Sequence, residues 1–148
     1  MISWLDIVSL PLRRVHDQWV AVRGNRIMPD IGDYAGFAGR MPQGVSACIA
    51  VPAREPVPKF VFVGDVMRRY LPGCRSGIAV DEVPSVVTRI SVSVPVHRVI
   101  KSSQPDSRRG QLAVGNRVVP FEGLMLPFGD GSNRVRLIHG IYELAARA

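Results

Sequence analysis

The chain has 148 residues, of which 47% are hydrophobic, and a formal net charge of +7 at pH 7. This length and apolar content predict one globular domain with a full hydrophobic core and exclude a disordered protein. The two cysteines, Cys48 and Cys74, have neither metal-ligand spacing nor the density of a disulfide framework, so we expect ordinary thiols in a reducing cytoplasm.

The basic charge is carried mainly by arginines, which occur singly or in adjacent pairs rather than in one block. Such a surface permits contact with nucleic acid, but the chain shows no sequence-specific recognition element. A small basic nucleic-acid-binding protein is therefore the alternative function, and its affinity would fall steeply with salt. No apolar run reaches the roughly 18 residues of a membrane-spanning helix, and the N-terminus lacks the basic start of a signal peptide, so we expect a cytoplasmic protein.

The first predicted element is a helix over 10–23. Apolar residues recur there at steps of three and four, Ser9 can cap the start, and Gly24 can end it. We predict that this helix lies outside the core of the domain. Its apolar stripe would pack either on its own domain or against a second copy. The second alternative predicts a homodimer through the contact residues Leu5, Val8, Leu12, Val15, Trp19 and Val22.

Short strands and helices follow a connector rich in glycine and proline, so we divide the chain into a helix and connector, 1–43, and a domain, 44–148. A strong turn signal, Asp130-Gly131, joins the two strands of a terminal hairpin. The predicted elements are a helical turn at 34–39, strands at 45–51 and 59–63, helices at 66–70 and 85–102, and strands at 111–114, 118–128 and 134–144. This order predicts an α+β fold with a five-stranded antiparallel sheet and helices over one face.

Four short stretches, in a fixed order along the chain, carry a family resemblance. They are F-V-F-V-G-D-V-M-R-R-Y-L-P-G, G-I-A-V-D-E-V-P, S-S-Q-P and F-E-G-L-M-L-P-F-G-D-G. Together with the upstream W-x-x-x-R-G-N-R-I-M-P-D, they resemble a divergent bacterial branch of PAS-like domains. The chain departs from that pattern at Gly123, where the branch usually has a larger residue, and at Pro95, which interrupts the long helix. The step from Pro127-Phe128 to Asp130-Gly131 is also one residue shorter than the pattern.

The resemblance implies a PAS-like fold and a sensory or signalling domain without enzymatic activity. PAS-like domains hold a small ligand or cofactor between sheet and helices, or act as dimerisation and relay modules. We therefore expect a homodimer, a protein partner in signalling and a small-molecule ligand in the cleft. The branch is not tied to one cofactor, and neither haem, flavin nor a metal ion is expected. No nucleophile, base and orienting group can be named together, which also argues against an enzyme.

Candidate cleft residues are the apolar and aromatic side chains of the predicted strands and helices, although a packed core explains the same residues. In the long helix Ile90, Val94 and His97 recur at helical spacing, and in the last strand His139 shares a face with Leu137. The predicted ligand-cleft residues are Phe60, Phe62, Met67, Tyr70, Ile90, Val94, His97, Leu124, Leu137 and His139.

Three polar side chains have alternative interpretations. His97 is an ordinary helical histidine or an axial haem ligand. His139 is a ligand-binding group or a structural histidine whose hydrogen bonds are satisfied within the core. Glu122 falls on an apolar face of its strand and needs a partner, which we predict to be Arg136 across the hairpin.

Overall fold

The structure is a computed structural model that describes residues 6–55 and 57–144. It contains helices and strands close to the predicted positions. The helices are α1 (Leu10–Arg23), α2 (Tyr34–Ala38), α3 (Asp65–Tyr70) and α4 (Val86–Ser102); the strands are β1 (Ser46–Ala50), β2 (Lys59–Val63), β3 (Asp106–Val114), β4 (Arg117–Gly129) and β5 (Val135–Leu144). None of these helices is both long enough and apolar enough to cross a bilayer.

Local capping determines where the two longer helices begin. The Ser9 side chain accepts a hydrogen bond from the backbone N–H of Leu12 at the start of α1. Ser85 does the same with Thr88 at the start of α4. Each bond satisfies one of the N–H groups that a helix leaves unpaired in its first turn, so both starts follow from the sequence. At the other end of α1, Gly24 adopts a positive φ of 62°, which favours glycine.

The five strands form one sheet in the order β2-β1-β5-β4-β3, and all neighbouring strands are antiparallel. The predicted α+β fold with a five-stranded antiparallel sheet is confirmed. Strand β3 starts at Asp106, five residues before the predicted start, because 106–110 pair with β4 from Phe121 to Met125. Residues 106–110 are mostly polar and lie at the edge of the sheet, so their side chains do not show the apolar alternation of a strand. Their backbone nevertheless pairs with β4 at every residue.

Helices cover both faces of the sheet rather than one. On the face that we call the α4 face, Ile138 and Tyr142 of β5 lie beneath α4 and the segment before it. On the opposite face, the α1 face, Leu126 of β4 is buried beneath α1 and α2. The predicted position of α1 outside the core was wrong, because Trp19 is fully buried in the same core. Strand β4 is apolar on both faces, and each face therefore needs a cover.

The buried side of α4 also differs from the predicted stripe. Ile90 is 43% exposed and His97 lies at the surface. Valines surround this helix on every side, so its apolar spacing does not single out one face. The side that faces the core consists of small and β-branched side chains, which allow a close approach to the sheet. The buried residues of α4 are Thr88, Ser91, Val92, Pro95, Val96 and Val99.

Pro95 lies inside α4 without ending it. A proline has no N–H to donate to the carbonyl four residues earlier, here that of Ser91. The Tyr142 hydroxyl donates a hydrogen bond to the Ser91 carbonyl oxygen at 3.1 Å. A sheet side chain therefore supplies the donor that the helix lacks, and it ties α4 to β5.

Candidate functional site

The structure does not bring the predicted cleft residues together. Phe60 and Met67 are buried in the core, Leu124, Leu137 and His139 lie on the α1 face, and Tyr70 lies at a surface groove described below. Phe62 is exposed, and Ile90, Val94 and His97 belong to the outer and flanking sides of α4. These residues were placed by strand alternation and helix spacing, which fix relative positions but not which face meets which element. Ligand binding at them remains a prediction.

His97 interacts with the turn that precedes α4. Its Nε2 lies 2.9 Å from Oδ2 of Asp81, and Ser93 donates to the same carboxylate. Partial burial raises the pKa of Asp81, but the hydrogen bonds from Ser93 and His97 outweigh it and leave that pKa below its usual value. His97 is about half exposed. It is therefore not enclosed between α4 and the sheet, and a ligand contact at His97 remains a prediction.

Side chains fill the space between α4 and strands β4 and β5. Tyr142 lies flat over Gly123, where an added Cβ would come within 2.9 Å of the ring carbon Cε2. Met125 covers Gly140 in the same way, with its sulfur 3.0 Å from the position of a Cβ. Both large side chains are buried and belong to the core. The two glycines thus let Tyr142 and Met125 occupy this space themselves.

A chain of hydrogen bonds crosses the α1 face through His139. The Tyr34 hydroxyl lies 2.8 Å from Nδ1 of His139, and Nε2 lies 3.1 Å from Oγ of Ser46. Ser46 Oγ donates to the Pro42 carbonyl, so it accepts from Nε2–H of His139. Nδ1 is then left to accept from Tyr34, because a neutral imidazole has one donor and one acceptor. This is the structural histidine alternative, with both ring nitrogens satisfied.

The charge state of this network follows from its burial. Burial lowers the pKa of His139 to about 4, which keeps the ring neutral at neutral pH. Burial also raises the pKa of Tyr34. Cys74, on the other side of the sheet, has its pKa raised to about 12 by burial. None of these groups combines an ionised form with access to solvent.

A second polar contact holds the start of α1. The Glu122 carboxylate accepts hydrogen bonds from the backbone N–H groups of Val8 at 2.8 Å and Ser9 at 2.7 Å. The predicted pair with Arg136 was wrong, because Glu122 lies opposite Glu143 at the far end of β5. Arg136 instead pairs with Asp130 beside the hairpin turn. The partner of Glu122 comes from a segment more than a hundred residues away, which spacing within the hairpin does not indicate.

An open groove of about 570 Å³ lies between α1, α3 and the end of β5. Its floor is apolar, and its rim carries arginines from three parts of the chain. Glu143 also lines it. The residues that line the groove are scattered along the sequence, so the arginine-rich composition was the only sequence feature that indicated its charged rim. The lining residues on which the groove's chemistry depends are Arg14, Arg40, Val45, Val66, Arg69 and Ile141.

Comparison with known proteins identifies the fold. No protein-family model matches the chain. No curated protein matches it either. The PAS domain from Bordetella pertussis BvgS matches with a TM-score of 0.54 and 10% identity, over 91% of this chain and 88% of that one. The chain has a PAS-like fold.

Two further structures resemble the chain more weakly. One is an RNA-binding light-oxygen-voltage receptor, with a TM-score of 0.47 and 14% identity over 70% of this chain and 31% of that one. The other is a fungal LOV domain photoreceptor, with a TM-score of 0.44 and 14% identity over 93% of this chain and 91% of that one. At such identities the likeness concerns the PAS-like fold alone.

In this PAS-like fold the space between α4 and strands β4 and β5 is occupied by the chain's own side chains. Gly123, where the sequence departs from the related branch, is the residue over which the Tyr142 ring packs. The departure at Pro95 is linked to the same ring, since Tyr142 donates to the Ser91 carbonyl. The two departures therefore describe one local arrangement around Tyr142.

The predicted dimer residues lie mainly inside the PAS-like fold. Leu12, Val15 and Trp19 are buried on the α1 face, and the Trp19 indole N–H donates to the Pro127 carbonyl at 2.9 Å. This is the alternative in which the stripe packs on its own domain, so these three residues are not free to contact a second copy. Val8 is 53% exposed and Val22 is half-buried, whereas Leu5 lies outside the described residues.

Proposed function

We propose that this chain is a non-enzymatic sensory or signalling domain that acts by binding a small molecule, a protein partner or both. The PAS-like fold and the motif resemblance support it. The observation that carries it is the attachment of the α1–α2 segment to the sheet through Glu122, the Pro127 carbonyl and His139. These directional contacts add to the buried apolar side chains of the segment, and the proposal requires a second state in which the segment is displaced from the sheet. Binding at its edge can shift that equilibrium and so relay a signal.

The absence of enzymatic activity is supported by the polar groups of the described residues. Tyr34, His139 and Ser46 form the chain of hydrogen bonds most similar to a catalytic relay. Ser46 and His139 are almost completely buried, so no substrate reaches them. Burial also keeps both cysteine thiols protonated, because it raises the pKa of Cys48 and of Cys74. A protonated, buried thiol is a poor nucleophile.

We also propose a homodimer in the cytoplasm. Because the stripe of α1 is buried, the contact would use apolar side chains near its two ends. These are the exposed Val8 and the half-buried Val22. Light scattering of the full chain should then give twice the mass of one chain, and Val8→Lys with Val22→Lys should shift it toward the monomer. Val118→Lys is the matched control, since Val118 is 63% exposed and lies on the β3–β4 hairpin.

The first experiment on function is an absorbance spectrum of the purified full chain, with mass spectrometry of what it releases on denaturation. A released compound supports a small-ligand sensor and identifies its class. An empty protein that is dimeric supports a relay between proteins. A protein that is monomeric at all concentrations, releases no compound and exchanges the amide protons of α1 no faster than those of β5 would overturn the proposal.

A further inference from the structure

The groove beside α1 combines an apolar floor with a positively charged rim. The floor is formed by aliphatic side chains of separate elements, including Val45, Val66 of α3 and Ile141 of β5. Its volume of about 570 Å³ lies within the roughly 300–1,000 Å³ of small-molecule sites. The sheet and two helices hold these walls, so the shape of the groove does not depend on one loop.

The rim carries Arg14 of α1, Arg40 after α2 and Arg69 of α3. No carboxylate of the described residues forms an ion pair with any of the three. Glu143 is the acidic side chain of the lining, so the groove has a net charge of about +2 at neutral pH. Guanidinium groups bind carboxylates through paired hydrogen bonds, which ammonium ions and neutral alcohols cannot replace.

From this combination we propose that the groove binds an organic carboxylate with an apolar chain or ring. The apolar body would lie on the floor between α1 and α3, and the carboxylate would meet the arginines of the rim. The site is separate from the filled space beneath α4. The inference goes beyond the proposed function, because such an anion can bind whether or not the domain signals.

The test uses the full chain and decanoate, a carboxylate with a flexible apolar chain. Titration followed by amide chemical shifts should move the residues that line the groove. Decyltrimethylammonium, which has the same chain and the opposite charge, should bind at least about tenfold more weakly, since a hydrogen bond to a charged group is worth about 1.5–3 kcal/mol. Equal binding of the two probes would overturn the proposal, as would shifts confined to other parts of the protein.

Two matched double variants distinguish the effect of the rim arginines on decanoate binding from the effect of the net charge of the protein. Arg40→Gln with Arg69→Gln should weaken decanoate binding about tenfold or more. Arg117→Gln with Arg134→Gln removes the same charge from exposed positions outside the groove and should leave binding unchanged. A similar loss in both variants would reduce the effect to net charge and overturn the proposal. A protein that binds an acidic amphipathic peptide but not decanoate would place a protein segment in the groove and overturn it too.

Discussion

His139 is a buried ionisable side chain at the centre of the hydrogen bonds between Tyr34 and Ser46. Its neutral ring accepts at Nδ1 and donates at Nε2. Protonation would make both nitrogens donors, and the Tyr34 hydroxyl could no longer donate to Nδ1. Burial and this geometry therefore favour the same neutral form, and the stability of the α1 face depends on pH.

The expected pH dependence follows from the lowered pKa. In the folded protein the pKa of His139 is about 4, against 6.5 for an exposed histidine. The unfolded chain therefore takes up a proton first as the pH falls. The contribution of His139 to the free energy of unfolding should be fully present above about pH 7. It should be lost as the pH falls from about 6.5 to about 4, by about 3 kcal/mol in total.

Urea unfolding of the wild type and of His139→Gln at several pH values measures this contribution. Glutamine hydrogen-bonds but does not titrate, so the difference between the two curves isolates His139 from the other groups. That difference should shrink as the pH falls through the acid range. Parallel curves would mean that the pKa of His139 is the same in the folded and the unfolded protein.

At the scale of elements, α4 is joined to β5 by a contact that compensates for a proline. The Ser91 carbonyl has no helical donor because residue 95 is proline, and the Tyr142 hydroxyl takes that place. The ring itself can lie there because residue 123 is glycine. Helix, strand and neighbouring strand thus depend on one another through three residues distant in the sequence.

A double-mutant cycle tests this compensation. Tyr142→Phe leaves the buried Ser91 carbonyl without a donor and should lower the free energy of unfolding by about 1–3 kcal/mol. In a Pro95→Ala background the alanine N–H supplies the helical bond, so the same change should have an effect of under about 1 kcal/mol. Chemical denaturation of the four proteins gives both values. An equal loss in the two backgrounds would show that the hydroxyl does not compensate for the proline.

At the scale of the whole molecule, the sheet is covered on both sides. Residues 6–43 belong to the same core as the domain that follows them, because Trp19, Met28 and Phe37 are buried against the sheet. Removing α1 would therefore expose the face of β4 and β5 that it covers. A boundary at residue 43 divides the sequence by composition but would cut through a continuous apolar core.

Deletion of residues 1–24 tests this integration. Loss of the buried Leu12, Val15 and Trp19 side chains should remove about 5 kcal/mol or more, which is comparable with the stability of a small domain. Thermal unfolding should then begin at a much lower temperature, and light scattering should show aggregates rather than a smaller soluble oligomer. A truncated chain that is soluble and melts at the wild-type temperature would contradict a structural role for α1.

The sequence by itself determined the elements and most of their ends. The bounds of α1 and β2 were predicted to the residue, because a serine cap, a glycine end and a short run of valine and phenylalanine are local signals. The α+β class and the antiparallel sheet followed from the order of these elements. The terminal hairpin was indicated by Asp130-Gly131 in the same way, since the turn is local.

Only the tertiary structure decided which faces meet. It shows that α1 covers the second face of the sheet. In it Glu122 accepts hydrogen bonds from the backbone of Val8 and Ser9, and His97 contacts Asp81 at the surface. The rim of the groove likewise joins arginines that are far apart in the chain. These outcomes depend on contacts between distant segments, where an apolar helix or strand has more than one face to bury. The spacing of apolar residues indicates the period of a helix or strand, but it does not indicate which other element packs against each face.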